Sequence, residues 1–229
     1  MTTSNPFQAE AVQNFAQKCC VALVVDTSTS MEGSKINQLN SGIQSFIDEI
    51  SADAANLGQQ LEIGIITFDS TVQRVHEPKL AQFIDFNPLQ ASGSTALVDG
   101  VREGIQMVRD RKQWYKQTGQ KYFRPWVIMM TDGEPDSSQS DMIPQLAAEI
   151  ENGMTSKEFC FLALGVEGAD GELLQKISSS EIPPRMLAGL KFADFFKWLS
   201  ATIGEVAKGQ DVAGIVNQPG QSWDGGFKI

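Results

Sequence analysis

Continuous apolar runs alternate along this chain with stretches whose apolar residues recur every three to four positions. Residues 19–25 (CCVALVV), 61–68 (LEIGIITF), 126–131 (WVIMMT) and 159–164 (FCFLAL) are short apolar runs. They predict strands buried on both faces of a sheet. Between them, residues 35–51 set Ile36, Leu39, Ile43, Phe46, Ile47 and Ile50 on one helical face. Residues 96–112 do the same with Leu97, Val101, Ile105 and Val108, and 140–152 with Ile143, Leu146, Ala147 and Ile150. A short helix is predicted over 171–178 and a short strand over 185–187. Phe192, Phe195, Phe196, Leu199 and Ile203 mark a last amphipathic helix. Residues 71–75 follow 61–68 across only Asp69-Ser70, which predicts a hairpin and hence an antiparallel edge strand. The stretch 80–94 has no clean period and reads as a loop with a helical turn. The whole is an α/β pattern: a mostly parallel central sheet, one antiparallel edge strand, and helices on both faces.

Three parts follow: an N-terminal extension (1–17), one folded domain (18–207) and a C-terminal tail (208–229). The tail is rich in turn formers, and two readings are open for it. It is a disordered end, or a docking segment anchored by Trp223 and Phe227. At 229 residues, with 41% apolar and 20% charged residues, the chain has material for a sizeable core. Its net charge of −10 argues against general nucleic-acid binding and against an anionic membrane surface. Cys19, Cys20 and Cys160 make neither a disulfide framework nor a zinc spacing, and His76 is the single histidine. No secretory leader is read at the N-terminus and no apolar run is long enough to span a bilayer, so a reducing cytoplasm is the expected compartment.

The candidate chemistry lies where the predicted strands end. The first runs into Asp26-Thr27-Ser28-Thr29-Ser30, a D-x-S-x-S pattern. Gly93-Ser94-Thr95 precedes the second large helix, and the third strand runs into Thr131-Asp132-Gly133. In an open parallel sheet these segments converge beyond the carboxyl ends of the strands. Asp26, Ser28, Ser30, Thr95 and Asp132 offer only oxygen, which selects Mg²⁺ or Mn²⁺ over softer metals. The donor set carries few charges, and where a carboxylate acts through water its charge is felt less, so the expectation is an ion that is not fully neutralised. It keeps an exchangeable position that suits an Asp or Glu of another protein. The helix after Thr95 presents its positive end to the ion, so the carboxylates must outweigh it. Loss of Asp26 is therefore expected to abolish ion binding, and loss of one hydroxyl to weaken it.

These residues resemble the von Willebrand factor A domain and its metal-ion-dependent adhesion site, whose D-x-S-x-S, Thr and T-D-G segments all stand here in order, across roughly residues 18–205. The resemblance implies a Rossmann-like sheet in which Asp26, Ser28, Ser30 and Thr95 contact or nearly contact the metal, with Asp132 direct or through water. Residues 66–70 (ITFDS), 91–97 (ASGSTAL) and 131–135 (TDGEP) are further similar to TerY-type proteins of bacterial tellurite-resistance and stress operons. That similarity implies a phospho-signalling partner, a protein kinase or a PP2C-type phosphatase. The expected function is a non-enzymatic, Mg²⁺-dependent protein-binding module. Two alternatives use the same residues: a Mg²⁺-dependent phosphohydrolase, and an adaptor subunit of an AAA+ ATPase. Against hydrolysis stand the absence of a phosphate-binding G-x-x-x-x-G-K-[ST] loop and Ser28 where a D-x-D enzyme carries its second carboxylate.

Four features stand beside the site. Residues 111–124 are basic and aromatic: a patch for a phosphorylated or nucleic-acid partner, or a helix end followed by a solvated loop. His76 is expected at the surface of the edge strand. Cys19 and Cys20 are expected as inert thiols in a buried strand. Glu134 and Asp136 border the site, either tuning its field or serving as turn residues.

Overall fold

The computed structural model describes residues 14–133, 135–207, 211–218 and 221–226. The first strand, β1 (Cys19–Asp26), is buried at every position, so both of its faces are covered. Two helices follow, α1 (Ser34–Ala52) and the single turn α2 (Leu57–Gln60). Next come β2 (Leu61–Phe68), equally buried, and β3 (Val72–Leu80), only partly so. The long helix α3 (Leu97–Thr118) leads to β4 (Trp126–Thr131), α4 (Ile143–Thr155) and β5 (Cys160–Gly165). The chain continues through α5 (Gly171–Ile177), the short β6 (Arg185–Met186), α6 (Phe192–Ala207) and α7 (Val212–Val216).

The strands form one sheet in the order β3-β2-β1-β4-β5-β6. Only β3 is antiparallel to its neighbour; the other pairings are parallel. The chain first builds outward from β1 to β2 and β3, then returns to add β4 on the other side. The order therefore reverses at β1, and the carboxyl ends of β1 and β4 flank the point of reversal, the place where open parallel sheets bind ligands. Helices pack around the sheet. A Cβ on Gly104 of α3 would meet Val24 Cγ2 at 2.4 Å, so only glycine lets α3 sit this close to β1. On α1, Gly42 lies equally close to Phe192 and Phe196 of α6.

Two expectations need correction. The helix predicted over 96–112 runs on to Thr118 and stops at Gly119, whose φ of 71° is left-handed. Arg111, Trp114 and Tyr115 therefore continue its buried stripe. Segment 111–124 is thus a helix end, as one of the two readings had it, with Lys116 in its last turn; it is followed by a partly buried connection and is not an open basic patch. The Arg111 guanidinium bonds Glu62 of β2 at 2.6 and 2.8 Å, both side chains being buried. It lies 4.2 Å from the ring of Trp114, and the Tyr115 hydroxyl also donates to Glu62. Lys116 and Lys121 remain exposed.

The described part of the tail packs on the domain instead of hanging free. Trp223 is 1% exposed and packs edge-on against Phe195 and tilted against Trp198 of α6. Ala188 N–H donates to Trp223 O, and Gly225 N–H to Met186 O, which extends the sheet edge at β6. Arg185 ties the segment down through Asp224 at 3.0 Å and Val216 O at 2.8 Å. Phe227, the other expected anchor, lies outside the described residues, as does Glu134.

Candidate metal centre

Asp26 is the last residue of β1, and the chain turns sharply after it. Ser28 N–H donates to Asp26 Oδ1 at 2.8 Å, and a 3-10 turn over Thr29–Met31 brings Ser30 back beside Ser28. The two serine hydroxyl oxygens are 3.0 Å apart. The Ser30 hydroxyl donates to Asp132 Oδ1 at 2.6 Å, across from the end of β4. Thr131, the last residue of β4, donates its hydroxyl to Asp26 Oδ2 at 2.5 Å. Side-chain hydrogen bonds thus join the ends of β1 and β4.

Thr95 arrives from the loop before α3, which is fixed on several sides. Ser92 N–H donates to Thr27 O at 2.7 Å and Thr29 N–H to Gly93 O at 3.1 Å. Gly93 has φ +75°, and a Cβ there would meet Ser70 Oγ at 2.5 Å. Asp136 fastens the loop from the opposite side, accepting from the Ser94 hydroxyl at 2.7 Å and from Thr95 N–H at 3.1 Å. The Asp136 carboxylate is therefore a clasp between two loops. Among the described residues, the Thr95 hydroxyl itself has no hydrogen-bond partner.

Gly133 reveals the space these groups enclose. A Cβ built on it would lie 3.6 Å from Ser30 Oγ, 3.8 Å from Thr95 Oγ1 and 3.9 Å from Asp26 Oδ2. Three oxygens from three separate segments face one opening that only hydrogen occupies on the Gly133 side. The structure brings together all five residues singled out in the sequence. Four are linked by hydrogen bonds, and Thr95 stands across the opening.

Burial pushes the Asp26 carboxyl above the usual carboxylate range; hydrogen bonds from Ser28 and Thr131 counter this, and the nearby Asp132 charge adds to it. Asp26 is thus a fully buried carboxylate with two hydrogen bonds and, among the described residues, no cationic partner on either oxygen. Asp132, equally enclosed, has one: the Lys35 ammonium lies 2.5 Å from its Oδ2. A site of two carboxylates and three hydroxyls fits a hard cation with oxygen ligands, and offers nothing to a metal that prefers sulfur or imidazole. Among the described residues, no group of three or more His, Cys, Asp or Glu side chains is placed to hold a metal ion by itself. His76, the only imidazole, stands on β3 with its ring 6.5 Å from Phe86, half-buried and not fully at the surface as expected; burial lowers its pKa. Cys19, Cys20 and Cys160 are free and buried, and burial raises all three thiols, Cys160 to about 12.

Three participants were not singled out by sequence reasoning. Thr131 and Gly133 flank Asp132 inside the same T-D-G segment, but only the fold reveals that one holds Asp26 and the other leaves the opening. Lys35 is a lone cation in the first turn of α1, where nothing in its neighbours points to Asp132, 97 residues away.

A parallel sheet with oxygen donors gathered at its point of strand reversal defines an α/β protein of the Rossmann-like class that binds ligands beyond its strand ends. Within that class the chain belongs to the von Willebrand factor type A domain family, whose model matches residues 21–194. Domains of this family commonly serve as metal-dependent interaction or adhesion modules. Among curated relatives, the chain is 25% identical over 121 residues to inter-alpha-trypsin inhibitor heavy chain H3 of Mesocricetus auratus, a match over 52% of this chain and 13% of that protein. Among solved structures it is similar to the pilus adhesin SpaC of Lactobacillus rhamnosus GG in its open conformation (TM-score 0.63, 19% identity, 86% of this chain, 31% of that chain). It is also similar to proximal thread matrix protein 1 of the mussel byssus with a zinc-occupied MIDAS motif (TM-score 0.54, 19% identity, 86% and 46%). The chain spans less than half the length of each of these proteins. No helix among the described residues is long and apolar enough to cross a membrane.

Proposed function

We propose that this protein is a Mg²⁺- or Mn²⁺-dependent protein-binding module in which Asp26, Ser28, Ser30, Thr95 and Asp132 hold the cation. The observation that carries this reading is the opening beside Gly133, faced by Ser30, Thr95 and Asp26 oxygens at 3.6–3.9 Å. When bound, the cation supplies a Lewis-acidic position for a carboxylate oxygen of an Asp or Glu on another protein. The chain's own part is to hold five oxygens in place by the Thr131, Ser30 and Asp136 hydrogen bonds, and to keep the site poor in negative charge. The zinc in the mussel protein is a feature of that protein; the oxygen-only donor set here favours Mg²⁺ or Mn²⁺.

The module is a binding protein and not an enzyme. The one imidazole of the chain is on β3 beside Phe86, and the carboxylates at the opening are engaged by hydroxyls or by Lys35. Its three unpaired, buried thiols fit a reducing cytoplasm. The similarity of segments 66–70, 91–97 and 131–135 to TerY-type proteins supports a role in a bacterial stress or phospho-signalling system, with a kinase or PP2C-type phosphatase as the partner. Calorimetry tests the first step: Mg²⁺ or Mn²⁺ binds the wild type and fails to bind Asp26→Ala. Co-purification with a candidate kinase or phosphatase tests the second: EDTA releases the partner. Equal heats for both proteins, or a complex indifferent to EDTA, overturn the reading.

A further inference from the structure

Lys35 sits at the beginning of α1, which starts at Ser34, and its ammonium lies 2.5 Å from Asp132 Oδ2. The two oxygens of Asp132 are divided between two occupants. Oδ1 accepts from Ser30 and faces the other donors, while Oδ2 is held by the ammonium. The Asp132 side chain has no exposure and that of Lys35 has 22%. This is not a loose surface pair, because one member is out of water altogether. The backbone closes over it from the loop after β5. At Gly168, with φ +102°, a Cβ would lie 3.8 Å from Lys35 Nζ and 3.4 Å from Asp132 O. The niche is built around the pair, and the ammonium can remain on Oδ2 while Oδ1 serves the opening.

We infer that Lys35 sets the charge of the candidate metal centre. It is a permanent counter-ion to Asp132 that leaves the site one net negative charge, so that a bound dication stays in excess and the loaded site selects a carboxylate. This inference rests on the function proposed above and deepens it. The two carboxylates Asp26 and Asp132 would cancel a dication without Lys35, and an anionic partner group would then meet a neutral site. With Lys35 the same donors hold the cation less tightly and the partner's carboxylate more tightly. Lys35 is in this sense a specificity-determining residue that acts by charge, not as a metal ligand.

The two affinities move in opposite directions when the charge is removed, which a purely structural role does not produce. Loss of a strut between α1 and the end of β4 loosens both. The test uses the full chain as wild type, Lys35→Met, Lys35→Gln and Lys35→Arg, each checked for folding by near-ultraviolet circular dichroism. Mn²⁺ affinity is read by calorimetry. Acetate is then titrated against the Mn²⁺-loaded chain, followed by broadening of its methyl proton resonance. Lys35→Met and Lys35→Gln are expected to bind Mn²⁺ roughly tenfold tighter, and the loaded variants to bind acetate at least about threefold more weakly, the scale of one unit charge partly screened by solvent. Lys35→Arg keeps the charge and stays within about twofold of wild type in both. Unchanged or weaker Mn²⁺ binding by Lys35→Met and Lys35→Gln overturns the inference while the proposed function stands. So does tighter Mn²⁺ binding with acetate affinity unchanged. A wild type that takes up no Mn²⁺ overturns both.

Discussion

Asp26→Asn separates the cost of the buried carboxylate from its use. Asp26 is fully buried; its Oδ1 accepts Ser28 N–H at 2.8 Å and its Oδ2 accepts the Thr131 hydroxyl at 2.5 Å. Asparagine keeps both contacts. Its carbonyl accepts from Ser28, and its amide donates to Thr131 Oγ1, whose own proton can turn to Gly133 O at 3.4 Å. What disappears is a charge in a place from which water is excluded. Burial raises the Asp26 pKa, so the folded state holds this proton more readily than the unfolded state. The penalty of ionised Asp26 is absent where both states are protonated. It grows as pH rises through the unfolded carboxylate range, and is complete above the raised folded value. At neutral pH in EDTA, Asp26→Asn should therefore be more stable than wild type, because the buried charge is gone and both contacts are kept. Added Mg²⁺ acts in the opposite direction. At a hundredfold excess over the dissociation constant the wild type gains about 2.7 kcal/mol by linkage, and the variant gains nothing. Urea unfolding followed by tryptophan fluorescence, with EDTA and then with MgCl₂, reads both effects. A variant less stable than wild type in EDTA would mean the carboxylate serves structure and is not held in reserve for a cation. An equal Mg²⁺ shift in both proteins would refute the site.

Gly133→Ala fills the opening with a methyl group at ordinary contact distance from its neighbours, the nearest being Ser30 Oγ at 3.6 Å. Stability should change by less than about 1 kcal/mol while Mn²⁺ affinity measured by calorimetry falls at least about tenfold; unchanged affinity would put the cation elsewhere. Arg111→Met strands the buried Glu62 carboxylate and should cost about 3–5 kcal/mol in urea unfolding. The Mg²⁺ response should persist, because Glu62 and Phe68 lie at opposite ends of β2, about 20 Å apart along the strand, and Phe68 is registered with Asp26. Burial raises Cys19, Cys20 and Cys160, so the native chain should react with Ellman's reagent at mildly alkaline pH far more slowly than the same chain in denaturant, where all three thiols react. Rapid labelling of the native protein would contradict their burial.

Local chemistry made the central strands readable. An apolar run such as CCVALVV has one stable use, a strand covered on both faces, and β1, β2 and β4 lie where those runs predicted them. The hairpin across Asp69-Ser70 announced the antiparallel edge, although β3 extends further, to Leu80. The gathering of Asp26, Ser28, Ser30, Thr95 and Asp132 followed from the same source, since residues at the ends of parallel strands must meet on one side of the sheet. Pairings between distant charges were not readable. Arg111 looked like a helix end because charged residues favour helix ends; its place in the buried stripe depends on Glu62, 49 positions away. The tail had no period because Trp223 packs as a single plug against Phe195 and Trp198 and forms no amphipathic face of its own. Lys35 escaped for the same reason as Arg111: its partner Asp132 reaches it only through the crossing from β1 to β4.

Diffraction from crystals soaked in Mn²⁺, recorded near the manganese absorption edge, tests the central claim most directly. The account predicts one strong anomalous peak beyond the ends of β1 and β4, ligated by side-chain oxygens of the Asp26, Ser28, Ser30, Thr95 and Asp132 set, with Lys35 still on the far oxygen of Asp132. A saturated crystal with no peak there, and with Ser30 and Thr131 still bonded to the two carboxylates, would contradict it.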